Sequence, residues 1–244
     1  MEIVVQKFGG SSVETTEKLF KVCNHIIQEK ENGKKVVVVV SAQGDTTDIL
    51  INESKEITDT PNKREYDMLI SAGEQITIAK LAMCLDKLGH KAVSFLGWQV
   101  PIITNSNHGN ANIIDIKTDK ILKELENDNI VIIAGFQGVD ENNEITTLGR
   151  GGSDTTAIAL ASYLKAEKCE LFKDVDGIYS GDPHKNKNVI KYDKISYDDM
   201  LNLTSKGANV LHDKCVEMAK RNLITIVVKS TFKNNSQGTV VGCF

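Results

Sequence analysis

The chain lacks most of the short signatures that would settle its chemistry at once. Its five cysteines, Cys23, Cys84, Cys169, Cys215 and Cys243, are odd in number, widely spaced and form no C-x-x-C pair. They read as reduced, buried thiols rather than a disulfide framework or a zinc site. The five histidines form no H-x-x-x-H cluster, and no protein-held metal is expected. Neither G-x-x-x-x-G-K-[ST] nor G-x-G-x-x-G occurs, which excludes a Walker A loop and a Rossmann fingerprint. The acidic run at 174–182 lacks the spacing and closing glutamate of an EF-hand. Met1 runs almost directly into an apolar strand without a basic leader, so no signal peptide is read and a cytoplasmic protein is expected. The clean apolar runs fall short of membrane-spanning length. A net charge of −4, with both signs mixed along the chain, argues against nucleic acid as the partner.

What is present is an ordinary globular composition. The 244 residues are 41% hydrophobic and 25% charged, enough for one large α/β domain or two small ones. Runs rich in β-branched residues recur at 2–8, 35–41, 129–136 and 224–230. Continuous apolar strands of this kind suit a parallel sheet covered on both faces. Helical patterns lie between them. One covers 15–31, with Leu19, Phe20, Val22, Cys23, Ile26 and Ile27 on one stripe; a longer one covers 65–88 and is stopped by Gly89. Others cover 117–126, 153–164 and 214–222. The alternation predicts a doubly wound α/β fold. A polar loop is read at 57–64 and a hairpin tip at Glu141–Asn143. No repeat or linker interrupts the chain, so one continuous domain is preferred. Its last segment, KNNSQGTVVGCF, reads as a chain that continues.

Several strands end in residues suited to anions. Lys7-Phe8-Gly9-Gly10-Ser11-Ser12 places an ammonium and two glycines at a strand edge; a phosphate site and a plain strand-to-helix turn both fit. Ser41 to Asp48 brings hydroxyls and a glycine after the second strand, either as a site or as a helix cap. Glu74 follows Gly73 inside a helical pattern, as a partner for an ammonium or as a solvated glutamate. TTLGRGGSDTT at 146–156 sets Arg150, Gly151, Gly152, Ser153 and Asp154 at the mouth of a helix. Freed amides and an arginine there bind carboxylate or phosphate oxygens. Asp154 would be repelled by the same anion, so cations are expected nearby, as in phosphoryl transfer. After the strand CELF come Lys173, Asp174, Asp176, Tyr179 and Asp182, read as a nucleotide pocket or as a long acidic turn. Loops at the carboxyl ends of strands converge on one crevice in a doubly wound sheet.

With these residues in hand, the chain resembles the aspartate kinases of the amino-acid kinase family over its whole length. KFGGSS, VVVVSAQGDTTD, SAGEQITIA, GWQVPIIT with NHGNA, AGFQG, TTLGRGGSDTTA, DVDGIYSGDP and SKGANVLH carry the resemblance, in that order. It implies a three-layer αβα sandwich with a largely parallel central sheet. Residues 1–244 would be a single catalytic domain, with an aspartate side over roughly 1–150 and a nucleotide side over roughly 151–244. The implied reaction moves the γ-phosphoryl group of ATP to the β-carboxylate of L-aspartate, giving 4-phospho-L-aspartate, the first step towards lysine, methionine and threonine. Lys7 and Asp154 would be catalytic, with Asp154 organising Lys7. Ser41, Thr47, Glu74, Arg150, Gly151, Gly152 and Ser153 would bind aspartate, with Arg150 on the α-carboxylate and Glu74 on the α-ammonium. Lys7, Phe8, Gly9, Gly10, Lys173, Asp174, Tyr179, Asp182 and Lys206 would hold ATP, with Mg²⁺ carried mainly by its phosphates. A homo-oligomer is compatible with the family.

Three positions depart from the family pattern: Asn209 where lysine is common, Asp213 where proline is, and Lys173 where threonine is. Lys206 lies close enough in sequence to stand in for the lysine missing at 209. The family's paired regulatory ACT domains would begin where this sequence ends. Two alternatives remain open at this point: a sister kinase acting on N-acetylglutamate, carbamate or UMP, and a non-catalytic small-molecule-binding paralogue. Glu74 separates the first, because an acylated amino group carries no positive charge to pair with it.

Overall fold

A computed structural model describes residues 1–181, 189–207, 210–233 and 237–244. Along the chain lie β1 (Ile3–Phe8), α1 (Gly10–Val13), α2 (Thr16–Glu31), β2 (Lys35–Val40), α3 (Thr46–Ile57), α4 (Lys63–Ile70), α5 (Ala72–Lys87) and β3 (Ala92–Phe95). Next come β4 (Ile102–Thr104), β5 (Ile113–Ile116), α6 (Asp119–Glu126), β6 (Ile130–Ala134), β7 (Gln137–Val139), β8 (Ile145–Thr147), α7 (Gly152–Tyr163) and β9 (Lys168–Lys173). The chain closes with β10 (Ile178–Tyr179), β11 (Lys191–Tyr192), β12 (Lys194–Ser196), α8 (Tyr197–Ser205), α9 (Asp213–Asn222), β13 (Ile226–Ser230) and β14 (Thr239–Gly242).

Eight strands form one sheet in the order β12-β14-β13-β9-β1-β2-β6-β3. The six from β13 to β3 are parallel, and β14 runs against β13. β1 and β2 are buried almost throughout, and their side chains alternate between two cores. Val5, Val37, Val39, Val131 and Ile133 pack towards α6, α7, α8 and α9. Phe8, Val36, Val38, Val40 and Ile132 pack towards α2 and α5. The result is a three-layer αβα sandwich, and each layer follows from the period-two pattern of strands buried on both faces. A separate four-stranded sheet, β5-β4-β7-β8, stands beside it.

Local chemistry sets the helix ends. Thr15 caps α2, its hydroxyl accepting from the Lys18 amide at 3.3 Å. The pattern read as one helix over 65–88 is two, α4 and α5, joined through Ser71. Taken together, 63–87 is long and apolar enough to cross a membrane by length and composition, which the sequence reading had not anticipated. Half of its most apolar stretch is buried in the protein, as befits a core helix. α7 is apolar nearly all round and is buried along most of its length. It lies across β1, β2 and β9, and this brings its first turn to the end of β1.

Candidate active site

β1 sits between β2 and β9 at the centre of the sheet. The loops leaving these strands, the start of α7 and the ends of α4 and α5 enclose a cavity of about 460 Å³. Lys7, Ser41, Thr47, Glu74, Arg150, Gly151, Gly152, Ser153, Asp154 and Lys173 all line it. A hollow of about 650 Å³ between α2 and residues 229–233 is larger. The smaller cavity is where the buried charges and the glycine turn meet, and the chemistry belongs there.

Two lysines bracket one carboxylate. Lys7 Nζ lies 2.7 Å from Asp154 Oδ1, and Lys173 Nζ donates to Oδ2 at 2.7 Å. Lys7 and Asp154 are both almost fully buried. Burial alone would raise the Asp154 carboxyl, but the ammonium groups of Lys7 and Lys173 outweigh it and hold it well below the usual carboxylate range. Burial pushes the Lys7 ammonium down, against the pull of Asp154. Lys7 pairs with Oδ1, and its ammonium carries three donor hydrogens. Protons of Lys7 therefore remain free to meet a second anion.

Glu74 is the other buried carboxylate. Its Oε1 accepts from the Ala42 amide at 3.0 Å, and among the described residues Oε2 has no hydrogen-bond partner. Burial pushes its carboxyl up to about 7. Arg150 stands exposed at the mouth and lines the same cavity. The space thus offers a buried negative group, an open guanidinium and, at its far end, two ammonium groups around Asp154.

The turn before α7 is shaped by contact. Gly151, its N-cap, has φ +74°, and a side chain there would meet the His212 ring at 2.3 Å. Only glycine satisfies both conditions. Gly10 has a related reason: a side chain would meet the Ala42 carbonyl at 2.8 Å. Its own carbonyl accepts from the Gly44 amide at 3.0 Å. This glycine joins the loops after β1 and β2.

Other sequence assignments land elsewhere. The Phe8 ring is fully buried and stacks on Phe172 at 4.5 Å, because its position in β1 faces the α2 layer; its side chain is core rather than nucleotide site. Gly9 lies beside Lys7. Asp174 and Lys206 are exposed, and neither lines the cavity. Tyr179 donates to Asp176 at 2.6 Å, away from the cavity. Asp182 and Asn209 lie outside the described residues. Asp213 opens α9, where an acid suits the helix dipole. Lys173, read as an adenosine-side residue, instead meets Asp154. Sequence reasoning passed over His212, Tyr66, Ile51 and Phe136, all of which line the cavity.

The chain as a whole has known relatives. The sequence profile of the amino acid kinase family matches residues 2–230. The chain belongs to the amino acid kinase family. Within it, the chain is 52% identical over 241 residues to an aspartokinase of Bacillus sp. (strain MGA3), covering 99% of this chain and 58% of that protein. Among solved structures, aspartate kinase from Synechocystis aligns with a TM-score of 0.88 at 40% identity, over 99% of this chain and 40% of that one. E. coli aspartokinase III in complex with aspartate and ADP aligns with a TM-score of 0.88 at 26% identity, over 99% of this chain and 64% of that one. The chain spans less than three fifths of the curated relative's length, so the match concerns the amino acid kinase portion.

Proposed function

We propose that this chain is the catalytic unit of an aspartate kinase, transferring the γ-phosphoryl group of ATP to the β-carboxylate of L-aspartate. The observation that carries the reading is Glu74: a buried carboxylate with one oxygen unpaired, in the same cavity as Arg150 and the Lys7–Asp154–Lys173 cluster. A substrate with an ammonium, an inert carboxylate and a reacting carboxylate matches these three features in turn. A substrate whose amino group is acylated leaves Glu74 without a cation. The similarity to aspartokinases supports the same choice.

In the proposed reaction Glu74 holds the α-ammonium and Arg150 the α-carboxylate, by charge-assisted hydrogen bonds. Ser41, Thr47 and the amides around Gly151 to Ser153 complete the amino-acid side. A β-carboxylate oxygen attacks the γ-phosphorus, and the bond from that phosphorus to the β–γ bridging oxygen breaks. ADP leaves with the electron pair. The acceptor is already ionised at neutral pH, so no proton has to be removed. Lys7 and Lys173 offset the charge of the moving group, and Asp154 keeps both ammonium groups in place. Catalysis is then positioning plus electrostatic stabilisation.

Magnesium would enter with the nucleotide. Among the described residues no group of three or more His, Cys, Asp or Glu side chains could hold a metal ion. Asp154 has both oxygens facing lysines, which makes it a poor ligand. These residues do not fit a protein-held cation; phosphate oxygens and water suit Mg²⁺ better.

The product, 4-phospho-L-aspartate, is an acyl phosphate and reacts with hydroxylamine. Protein incubated with ATP, Mg²⁺ and L-aspartate is expected to give aspartyl hydroxamate, and none with N-acetylglutamate. A well-folded protein that yields no hydroxamate from aspartate overturns the reading.

A further inference from the structure

Asp67 is completely buried on α4. Its neighbours Tyr66 and Ile70 line the cavity, but Asp67 does not. A buried carboxylate is costly unless its oxygens are well bonded, and here they accept four bonds. Oδ2 takes the Gly109 amide at 3.0 Å, the Thr147 amide at 3.0 Å and His108 Nδ1 at 2.9 Å. Oδ1 takes the Thr147 hydroxyl at 2.6 Å.

All four donors belong to two segments, the 105–112 loop and the end of β8. The segments also touch each other: the Ala111 amide donates to the Thr147 carbonyl at 2.9 Å. Asn110 and the Gly109 carbonyl sit 3.1 Å from where a side chain at Gly149 would begin, and the φ of +73° there also disfavours one. Gly109, Gly149 and Arg150 all face the cavity, and Arg150 follows Thr147 by only three residues. Arg150 is exposed and has no ion pair of its own among the described residues, so the backbone at 150 sets the point from which its flexible side chain reaches into the cavity.

We propose that Asp67 is a positioning residue for substrate recognition. By fixing the Gly109 and Thr147 amides it sets the backbone that carries Arg150, and with it the grip on the substrate α-carboxylate. The inference rests on the aspartate kinase reading and adds to it a residue that never touches substrate.

The test compares two buried aspartates. Asp140 accepts the Asn142 and Glu144 amides at 2.9 Å in the β7–β8 hairpin, away from the cavity. Asp67→Asn puts donor hydrogens where the carboxylate accepts; Asp140→Asn does the same in a hairpin turn that meets the 105–112 loop at Ser106 rather than at His108 and Gly109. Asp67→Asn is expected to raise the KM for aspartate at least about tenfold, as loss of a charge-assisted contact does. The KM for ATP should stay within about twofold, the separation expected when one substrate's binding is lost. Asp140→Asn should change neither. Aspartate affinity measured by calorimetry without ATP should fall in parallel. Unchanged KM values, or both rising together, overturn the role. Should Asp67→Asn fail to fold, Thr147→Val removes only the hydroxyl bond; a selective rise in the aspartate KM supports the inference, and none overturns it. Wild-type hydroxamate formation reports on the kinase reading, whereas the split between the two KM values reports on Asp67.

Discussion

Glu74 and Ala42 are joined by one hydrogen bond of 3.0 Å between carboxylate and amide, and among the described residues the second carboxylate oxygen has no hydrogen-bond partner. Half of a buried charge is thus left unanswered within the protein. Burial pushes the group up to about 7, while the Ala42 amide and the charge of Lys7 pull the other way. An incoming ammonium supplies the missing partner and favours the ionised form.

The first prediction concerns pH. Below about 7 the free protein holds Glu74 largely neutral, so the KM for aspartate should fall as pH rises, by about tenfold per pH unit on the acid side. Binding near neutrality should release a proton, read by calorimetry in two buffers of different ionisation enthalpy. Stability runs the opposite way. Below about 4.5 the group is neutral in folded and unfolded chains alike; from there to about 7 only the unfolded chain ionises readily, so stability falls as pH rises. Glu74→Gln should therefore stabilise the protein at pH well above 7, by about 3 kcal/mol, but not at acid pH, as read from melting temperatures. A flat KM profile in wild type would remove Glu74 from the ammonium site.

The second concerns the lysine pair. Lys173→Met removes one of the two ammonium groups facing Asp154. We expect kcat to drop on the order of a hundredfold, with the KM for aspartate nearly unchanged. Asp154→Ala acts on stability as well, because it leaves Lys7 buried without its counter-charge; chemical denaturation should register a loss of about 3–5 kcal/mol. Wild-type turnover in Lys173→Met would return that residue to the periphery.

The third is steric. Gly151→Ala places a methyl group on the His212 ring at a left-handed position, and should cost about 1–3 kcal/mol from backbone strain alone. Adding His212→Ala should recover the part due to the clash and leave the part due to φ. Thermal melts of the two single variants and the double variant separate these terms. An additive double variant would show that the ring is not the obstacle.

Much of this was legible in the sequence, and particular residues show where legibility stopped. β2 and β6 announce themselves as nearly unbroken apolar runs, and β1 and β13 by their β-branched starts; β9, with Lys168, Glu170 and Lys173, does so only through its short apolar centre. α2 announces itself through one apolar stripe and the Thr15 cap. The second sheet does not, since its strands are only three or four residues long, too short for a period to stand out. The break at Ser71 hides because the apolar rhythm resumes beyond it. The cavity residues of the strand-end loops could be collected from motif and strand polarity alone. The burial of Glu74 could not, because it depends on the loop after β2 folding over α5. Lys173 is legible at a strand edge, but its pairing with Asp154 is not, since that depends on α7 crossing β9. His212 carries no local signal, and its meaning arises only where α9 reaches the Gly151 turn.

The central position of β1 also bears on how the protein is made. β1 is synthesised well before its neighbour β9 and before α7, which carries Asp154, the counter-charge of Lys7. Gln6 donates to Glu170 across 164 residues of sequence. Contacts of such separation are slow to close, and their loop entropy must be met before they repay it. The β1–β2 half can collapse early on its local pairing, but Lys7 cannot be buried at low cost until Asp154 arrives. Acquisition of the Lys7–Asp154–Lys173 cluster is therefore a late folding event. During synthesis, an incomplete chain holds half of a charge pair and half of a pocket.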